Sequence, residues 1–247
     1  MRSLWLSLIL AAAAGASGCR TAPAPNPSQD SAHTSTPSQN TSGDAAGSDP
    51  AMTPASPAAA TADHRPVLVC FGDSLTAGFG ADPGESYPDF LQKDLDALGF
   101  HYHVVNQGIS GNTTKDGLNR IDRILALHPA VIVVEFGGND GLRGLRIEDS
   151  RSNLDAILAR LKPSGAKIAL AGITLPPDYG PDYIQQFQTT YTLLAHKYNV
   201  PLLPFLLQGV FGVDGMMQAD RTHATASGNQ IVAQNVLHLL TPLLKKQ

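Results

Sequence analysis

Four short segments in the last three-quarters of the chain contain the residue types that acyl transfer requires. In chain order they are Gly72–Leu75, Ser110–Asn112, Gly137–Asp140 and Asp220–His223. The first supplies a serine on a tight turn, and the last supplies a carboxylate and an imidazole three residues apart. The middle two supply a backbone N–H beside glycine and an amide side chain, which can donate hydrogen bonds to a developing oxyanion. Each segment alone is weak evidence, but their order and spacing together predict one nucleophilic site.

Ser74 is the predicted nucleophile, His223 the base that activates it and Asp220 the carboxylate that orients the imidazole. A serine hydroxyl is inert at neutral pH, so it needs a base within hydrogen-bond reach. The alternative for the first segment is that Asp73 and Ser74 only cap the helix that follows. The alternative for the last is that His223 lies on the surface, while Asp220 or Thr222 caps the C-terminal helix.

The predicted oxyanion hole consists of the N–H groups of Ser74 and Gly111 and the side-chain amide of Asn139. Gly111 could instead be a turn glycine, with Asn112 or Thr113 capping the next helix, and both roles can coexist. Asn139 could instead belong to a turn. No cluster of His, Asp or Glu at metal-ligand spacing occurs elsewhere in the sequence, so neither a metal nor a cofactor is predicted.

Alternating strands and helices are expected to position these segments. Apolar β-rich runs predict the strands, and apolar residues at helical spacing predict the helices. The predicted strands are 66–71, 103–106, 130–136, 167–173 and 201–205, and the predicted helices are 86–98, 113–127, 150–161, 182–198 and about 18 residues from Thr225. This alternation predicts one α/β domain over residues 64–247, a three-layer α/β/α flavodoxin-like fold with a mostly parallel five-stranded sheet. The four segments then meet where loops leave the carboxyl ends of the strands.

A family resemblance rests on three stretches, namely Phe71–Gly78, Glu135–Gly144 and Val200–Phe205. On these the chain resembles the SGNH hydrolases, also called GDSL esterases and lipases, over about residues 66–243, and in particular their bacterial thioesterase, lysophospholipase and arylesterase branch. The resemblance implies the same nucleophile, base, carboxylate and oxyanion donors as the residues themselves suggest. It also implies that the loop after the fourth strand borders an acyl chain.

That loop, Leu175–Pro181, is the predicted wall of an acyl-binding groove. Leu175 and Tyr179 would contribute to it, and Phe79 could line the same groove. The alternative is a packed loop that touches no substrate. A continuous apolar stretch ending at Cys70 predicts that this cysteine is a small buried hydrophobic residue.

The first 63 residues do not have the composition of a folded domain. Residues 1–18 carry a short apolar stretch and end in small residues directly before Cys19, which is typical of a lipoprotein signal peptide with Cys19 lipidated. The alternative is an ordinary cleaved signal peptide. Residues 19–63, rich in Pro, Ala, Ser and Thr, are predicted to be a disordered tether. The expected location is the bacterial cell envelope, on a membrane that faces the periplasm or exterior; without lipidation the protein would be secreted.

The distribution of charge limits the classes of molecule that the protein is expected to bind. The formal net charge is −4. Two arginines and four aspartates in residues 1–63 account for −2 of it, which leaves −2 for residues 64–247. No basic patch indicates nucleic-acid binding. The expected partners are a small ester or lipid substrate and, through the N-terminal lipid, a membrane; the folded part is expected to be a monomer.

The sequence therefore predicts a serine hydrolase that cleaves carboxylic esters through an acyl-Ser74 intermediate, with thioesters and lysophospholipids as further candidate substrates. One alternative is a carbohydrate O-deacetylase on the same fold. The other is a non-catalytic envelope lipoprotein that binds lipid. The intact set of four segments argues against the second alternative, because a binding protein has no need of all of them.

Overall fold

The computed structural model describes residues 63–246. The predicted signal peptide, Cys19 and the predicted tether up to residue 62 lie outside the described residues. In residues 63–246 five strands form one sheet in the order β2-β1-β3-β4-β5, and every neighbouring pair is parallel. The strands are β1 (Val67–Gly72), β2 (His103–Gly108), β3 (Val131–Glu135), β4 (Lys167–Ala171) and β5 (Leu202–Leu203).

Within the described part of the chain, eight α-helices connect and cover the strands. They are α1 (Ser74–Ala77), α2 (Tyr87–Ala97), α3 (Thr114–Asn119), α4 (Ile121–Leu125), α5 (Gly138–Leu142), α6 (Ile147–Leu161), α7 (Pro181–Tyr198) and α8 (Ala226–Leu240). Helix α2 packs beside α8, whereas α6 packs beside α3 and α7. The chain reverses direction across the sheet after β2, so right-handed crossovers place these two helix groups on opposite faces. The predicted three-layer flavodoxin-like fold is confirmed, and its sheet is entirely parallel.

The central strands are continuous apolar runs because both of their faces are covered. Strand β3 is buried along its whole length, and β1 is buried from its second residue onward. Parallel strands covered by helices on both sides have this composition, since neither face meets water. Burial extends to the polar end of β3, where the side chain of Glu135 is fully enclosed.

The predicted single helix over 113–127 is wrong, because the chain leaves the helical conformation at Arg120 and forms α3 and α4 instead. Arg120 is nearly buried, and its guanidinium lies over the ring of Phe71 at 4.6 Å. Its Nη2 donates to the carbonyl of Gly72 at 2.8 Å, and its Nε donates to Asn112 Oδ1 at 2.9 Å. We attribute the break to these distant contacts, which no local pattern reveals.

Several other boundaries differ from the predictions by a few residues, and two of them have clear local causes. Strand β5 has two residues rather than five, because it pairs only with β4 and is followed by Pro204, which has no N–H to donate. Helix α8 begins after Thr225, as predicted, and the Thr225 side chain accepts from the N–H of Gly228. It ends after 15 residues, just before Pro242.

The topology brings the four chemically interesting segments to one edge. The first three follow directly after the carboxyl ends of β1, β2 and β3, and the fourth lies in the loop before α8. None of the described helices is long and apolar enough to cross a bilayer.

Candidate active site

Ser74 lies on a sharp turn between β1 and α1. Asp73 caps α1 by accepting from the N–H of Leu75 at 3.0 Å, so the capping alternative holds for Asp73. The turn requires glycine at position 72, because a Cβ there would collide with the side chains of Thr76 and Glu135. Ser74 Oγ is 2.9 Å from His223 Nε2, a contact between residues 149 positions apart in the sequence. The serine thus has the basic partner that its proposed chemistry needs.

Asp220 holds the other side of the imidazole. His223 Nδ1 is 2.7 Å from Asp220 Oδ2, and the N–H of His223 donates to Asp220 Oδ1 at 3.1 Å. When Nδ1 carries the proton and donates to Asp220, Nε2 is free to accept from the hydroxyl of Ser74. The three side chains therefore form one continuous chain of hydrogen bonds from carboxylate to alcohol.

Asp220 is held in its ionised form. Partial burial raises the pKa of its carboxyl, but hydrogen bonds from the His223 ring and from the N–H groups of Thr222 and His223 outweigh this effect. The resulting pKa is about 2, below the ordinary value of 3.8. At neutral pH the group is a carboxylate, as a partner for a developing imidazolium should be.

The loop that carries His223 is fixed by Gln218. The backbone N–H of Gln218 donates to the carbonyl of His223 at 2.8 Å, and its side-chain Nε2 donates to the carbonyls of Ala224 at 2.9 Å and Phe79 at 2.7 Å. The Phe79 ring lies against the imidazole with a centroid separation of 4.6 Å. Within this loop Arg221 adopts a left-handed backbone with φ 56°. The base is thus placed by the loop and by the segment after α1 together.

The three residues predicted to donate to an oxyanion line one cavity; they are Ser74, Gly111 and Asn139. Within residues 63–246, the backbone N–H groups of Ser74 and Gly111 have no acceptor. The Asn139 amide is already occupied, since its Nδ2 donates to Asp73 Oδ2 at 3.2 Å and to the carbonyl of Asn112 at 3.0 Å. These bonds orient the amide. An oxyanion would therefore have to share one of the two Nδ2 hydrogens of Asn139 with Asp73 or Asn112.

Two buried carboxyl groups lie beneath the nucleophile turn. Glu135 Oε2 accepts from the N–H of Asp73 at 3.3 Å and from Thr76 Oγ at 2.9 Å, whereas Glu135 Oε1 is buried with no hydrogen-bond partner among the described residues. Burial, reinforced by the neighbouring Asp73 carboxyl, raises the pKa of Glu135 well above its ordinary value of 4.5. Burial also raises the pKa of Asp73 to about 6.

Asp140 ties the third segment to the helices behind it. Its Oδ2 accepts from the N–H of Thr114 at 2.9 Å, and its Oδ1 accepts from Ser150 Oγ at 3.0 Å. Thr113 caps α3 in a capping box with Asp116, as one of the alternatives expected. Asp140 therefore holds a loop in place, in agreement with a structural rather than an acid–base role.

A cavity of about 250 Å³ opens beside Ser74 and is lined mainly by apolar side chains. Leu175 and Phe79, two of the three residues predicted to contact substrate, line it. The third, Tyr179, does not. Its hydroxyl donates to the carbonyl of Leu142 at 2.9 Å, and its ring stacks on Tyr183. The remaining apolar lining comes from Leu75, Leu142, Ile173, Pro176, Phe205, Leu207 and Phe211.

Cys70 lies outside the cavity, and the described residues form no metal-binding cluster. Cys70 is fully buried in β1, and burial raises the pKa of its thiol to about 12. Among residues 63–246 no group of three or more His, Cys, Asp or Glu side chains is arranged to hold a metal ion.

Three residues that support the site were not singled out from the sequence: Glu135, Arg120 and Gln218. Each acts through contacts with segments far away in the chain. The only available signal was for Glu135, because an acidic residue that ends a continuous apolar strand two residues before Gly137 is unusual. Arg120 and Gln218 carried no comparable signal.

Comparison with known proteins finds similar lipases and esterases in both sequence and structure. The profile of the GDSL-like Lipase/Acylhydrolase family matches residues 70–231. Esterase TesA of Pseudomonas aeruginosa is 43% identical over 178 residues, which cover 72% of this chain and 89% of that protein. Thioesterase 1/protease 1/lysophospholipase L1 of Escherichia coli K12 is 36% identical over 187 residues, or 75% of this chain and 87% of that protein. The crystal structure of TesA superimposes with a TM-score of 0.70 at 43% identity, covering 72% of this chain and 99% of that one.

Proposed function

Because the chain belongs to the GDSL-like lipase/acylhydrolase family, a family of ester-hydrolysing enzymes, we propose that it is a serine hydrolase that acts through an acyl-Ser74 intermediate. The observation that carries the proposal is the hydrogen-bond chain from Asp220 through His223 to Ser74, with separations of 2.7 and 2.9 Å. This is the arrangement in which an imidazole removes the proton of a serine hydroxyl while a carboxylate stabilises the resulting cation.

The reaction proceeds in two halves. In the first, His223 Nε2 takes the hydroxyl proton as Ser74 Oγ attacks the ester carbonyl, and the negative charge develops on the carbonyl oxygen. The N–H groups of Ser74 and Gly111 and the amide of Asn139 stabilise that oxyanion. His223 then returns its proton to the leaving alcohol. In the second half His223 deprotonates a water molecule, which cleaves the acyl-enzyme and regenerates Ser74.

The cavity supports an acyl chain as the group bound beside Ser74. Its lining is mostly aliphatic and aromatic, with Leu175 and Phe205 among the side chains that would contact a hydrocarbon. A sugar would require several convergent polar groups, so the lining favours acyl esters over a carbohydrate O-deacetylase. One of the two relatives described above is named an esterase and the other a thioesterase and lysophospholipase, which supports carboxylic esters, thioesters and lysophospholipids as the substrate range to test.

A covalent probe tests the nucleophile. A fluorophosphonate should label the wild-type protein and fail to label Ser74→Ala and His223→Ala, because attack needs both groups. Ser110→Ala is the matched control, since Ser110 lines the same cavity but is not hydrogen-bonded to His223, whose ring bonds Asp220 and Ser74; it should keep the label. Labelling of Ser74→Ala at the wild-type rate would disprove the assignment. Turnover of p-nitrophenyl esters from acetyl to dodecanoyl then defines the substrate, and strict preference for acetyl would favour the deacetylase.

Membrane attachment is a separate proposal that concerns residues outside those described. We infer that Cys19 is lipidated and holds the domain at the cell envelope, on the basis of the small residues that precede it and the apolar stretch before them. Labelling with a palmitate analogue should be lost in Cys19→Ser, which should also move the protein into the soluble fraction. An unlabelled wild-type protein would mean that residues 1–18 are an ordinary secretion signal. We further propose a monomer, to be checked by light scattering on the purified protein.

A further inference from the structure

Most of the exposed large apolar side chains of residues 63–246 belong to the lining of the cavity or to the chain segments next to lining residues. Eight such side chains are between 41% and 51% exposed, and six of them belong to this region. Three line the cavity itself, and each of the other three lies within three residues of a lining residue in the sequence. We call these six the mouth cluster: Phe79, Ile109, Leu142, Leu145, Phe211 and Val213.

This grouping differs from ordinary surface exposure. Isolated apolar side chains occur on every soluble protein, but a contiguous group of them indicates a contact site. The two remaining members of the eight provide the comparison. Leu98 follows the end of α2, and Leu193 lies on α7 beside a polar cleft formed with Glu148, Arg151 and Asp155. Neither is near the mouth of the cavity.

The position of the mouth cluster limits what can cover it. A protein seated there would close the entrance to Ser74, because Phe79, Leu142 and Phe211 are part of that entrance. A lipid surface would bury the same apolar atoms and could also deliver an acyl substrate from its own plane. Arg143 and Arg146 stand between or next to cluster members in the sequence, and Arg221 lines the cavity. Guanidinium groups in these positions can pair with the phosphates of lipid headgroups, and the exposed carboxylates of Asp214 and Glu148 lie close to the same segments in the sequence.

The chain that precedes the domain is long enough to allow this orientation. Strand β1 starts at the amino-terminal end of the parallel strands, whereas the cavity lies at their carboxyl ends. The preceding chain therefore joins the domain on the side away from the cavity. The roughly 44 residues from Arg20 to Asp63 reach up to ~150 Å when extended, several times the ~20 Å length of a six-residue strand. A domain anchored through Cys19 can therefore turn its mouth toward the same membrane. Only this orientation of the anchored domain depends on the proposed lipidation of Cys19.

We propose that the mouth cluster is a docking face for a lipid membrane surface, which places the entrance of the Ser74 cavity against the acyl chains of that surface. The face acts in addition to any N-terminal anchor. The anchor sets the distance of the domain from the membrane, and the mouth cluster sets its orientation.

Tryptophan quenching tests the orientation without requiring turnover, so a failure of the proposed ester hydrolysis would leave it interpretable. The only tryptophan of the chain is Trp5. In a full-length Trp5→Phe background, Val213→Trp places a reporter in the mouth cluster and Leu193→Trp places one outside it. With vesicles of brominated phosphatidylcholine and phosphatidylglycerol, we expect emission from Val213→Trp to fall about twofold and to shift to the blue. Emission from Leu193→Trp should not change. Equal quenching at both positions, or none at either, would overturn the proposal.

A second test compares the rates on an ester embedded in vesicles and on a soluble ester. The double variant Leu145→Ser/Val213→Ser removes two cluster members that do not line the cavity. Its turnover of an ester embedded in vesicles should fall roughly tenfold, while kcat/KM for a short soluble ester stays at the wild-type value. The matched control, Leu98→Ser/Leu193→Ser, should leave both rates unchanged. Equal losses on the two substrates would assign these residues to folding or catalysis, and no loss on vesicles would refute docking.

Discussion

Replacing Glu135 by glutamine is expected to stabilise the protein at neutral pH. The buried carboxyl of Glu135 accepts two hydrogen bonds through Oε2 and has no partner for Oε1 among residues 63–246. Burial raises its pKa well above 4.5, so the folded protein keeps it protonated under conditions in which the unfolded chain ionises it. A glutamine has nearly the same shape and can accept both hydrogen bonds through its carbonyl oxygen.

The size of the effect follows from proton linkage. A raised folded-state pKa means that the folded state binds more protons, so the associated stability is complete below pH 4.5 and is lost as the pH rises toward the folded value. Between the unfolded and the folded pKa of Glu135 the loss is about 1.4 kcal/mol per pH unit. Glu135→Gln removes this loss. Its free energy of unfolding relative to wild type should therefore rise with pH above 4.5, by about 1.4 kcal/mol for each pH unit up to the folded pKa of Glu135.

Urea unfolding at a series of pH values measures the effect. Glu148→Gln is the matched control, because it removes a carboxyl whose side chain is 66% exposed, and it should show no comparable gain. Glu135→Leu completes the set. It leaves the N–H of Asp73 and the hydroxyl of Thr76 without an acceptor, at a cost of about 1–3 kcal/mol each, and should lower kcat where glutamine does not. A difference between Glu135→Gln and wild type that stays constant with pH would show that Glu135 is ionised in the folded protein.

Two further substitutions test the proposed catalytic groups. Asn139→Ala should lower kcat by roughly 10²–10³ with little change in KM, because the amide acts on the oxyanion rather than on the bound ester; an equal rise in KM would contradict this. Asp220→Asn should lower kcat by about 10⁴. The depressed pKa of Asp220 also means that its contribution to stability is present above pH 3.8 and is lost as the pH falls through about 2. Acid unfolding of wild type and Asp220→Asn should therefore converge at low pH, and curves that stay apart would refute the assignment.

The framework and the meeting of the site residues were predictable because both follow from local patterns. Apolar runs located the five strands, and the parallel topology required that loops after β1, β2 and β3 share one edge. The three-residue spacing of Asp220 and His223 was sufficient to suggest that they pair, as the 2.7 Å contact shows. In each case the determining interactions lie within a few residues or follow from the general geometry of α/β sheets.

The parts that could not be predicted depend on long-range contacts. The helix break at Arg120 arises from a bond to Gly72, 48 positions away. The burial of Glu135 reflects bonds to residues 59 and 62 positions away, and the occupied state of the Asn139 amide involves Asp73, 66 positions away. A sequence read by composition and spacing identifies the residue types present. It does not show which acceptor a particular donor finds in the folded chain.

Phe79 connects the outside of the protein directly to the proton-transfer centre. Half of this side chain is open to solvent, yet its ring centre is 4.6 Å from that of His223, and its carbonyl accepts a hydrogen bond from the glutamine that anchors the histidine loop. A molecule that covers the Phe79 ring therefore also changes the solvent exposure of the His223 imidazole, and no hinge or lid has to move. The exposed rim of the cavity and the proton-transfer centre are therefore linked through a single aromatic side chain.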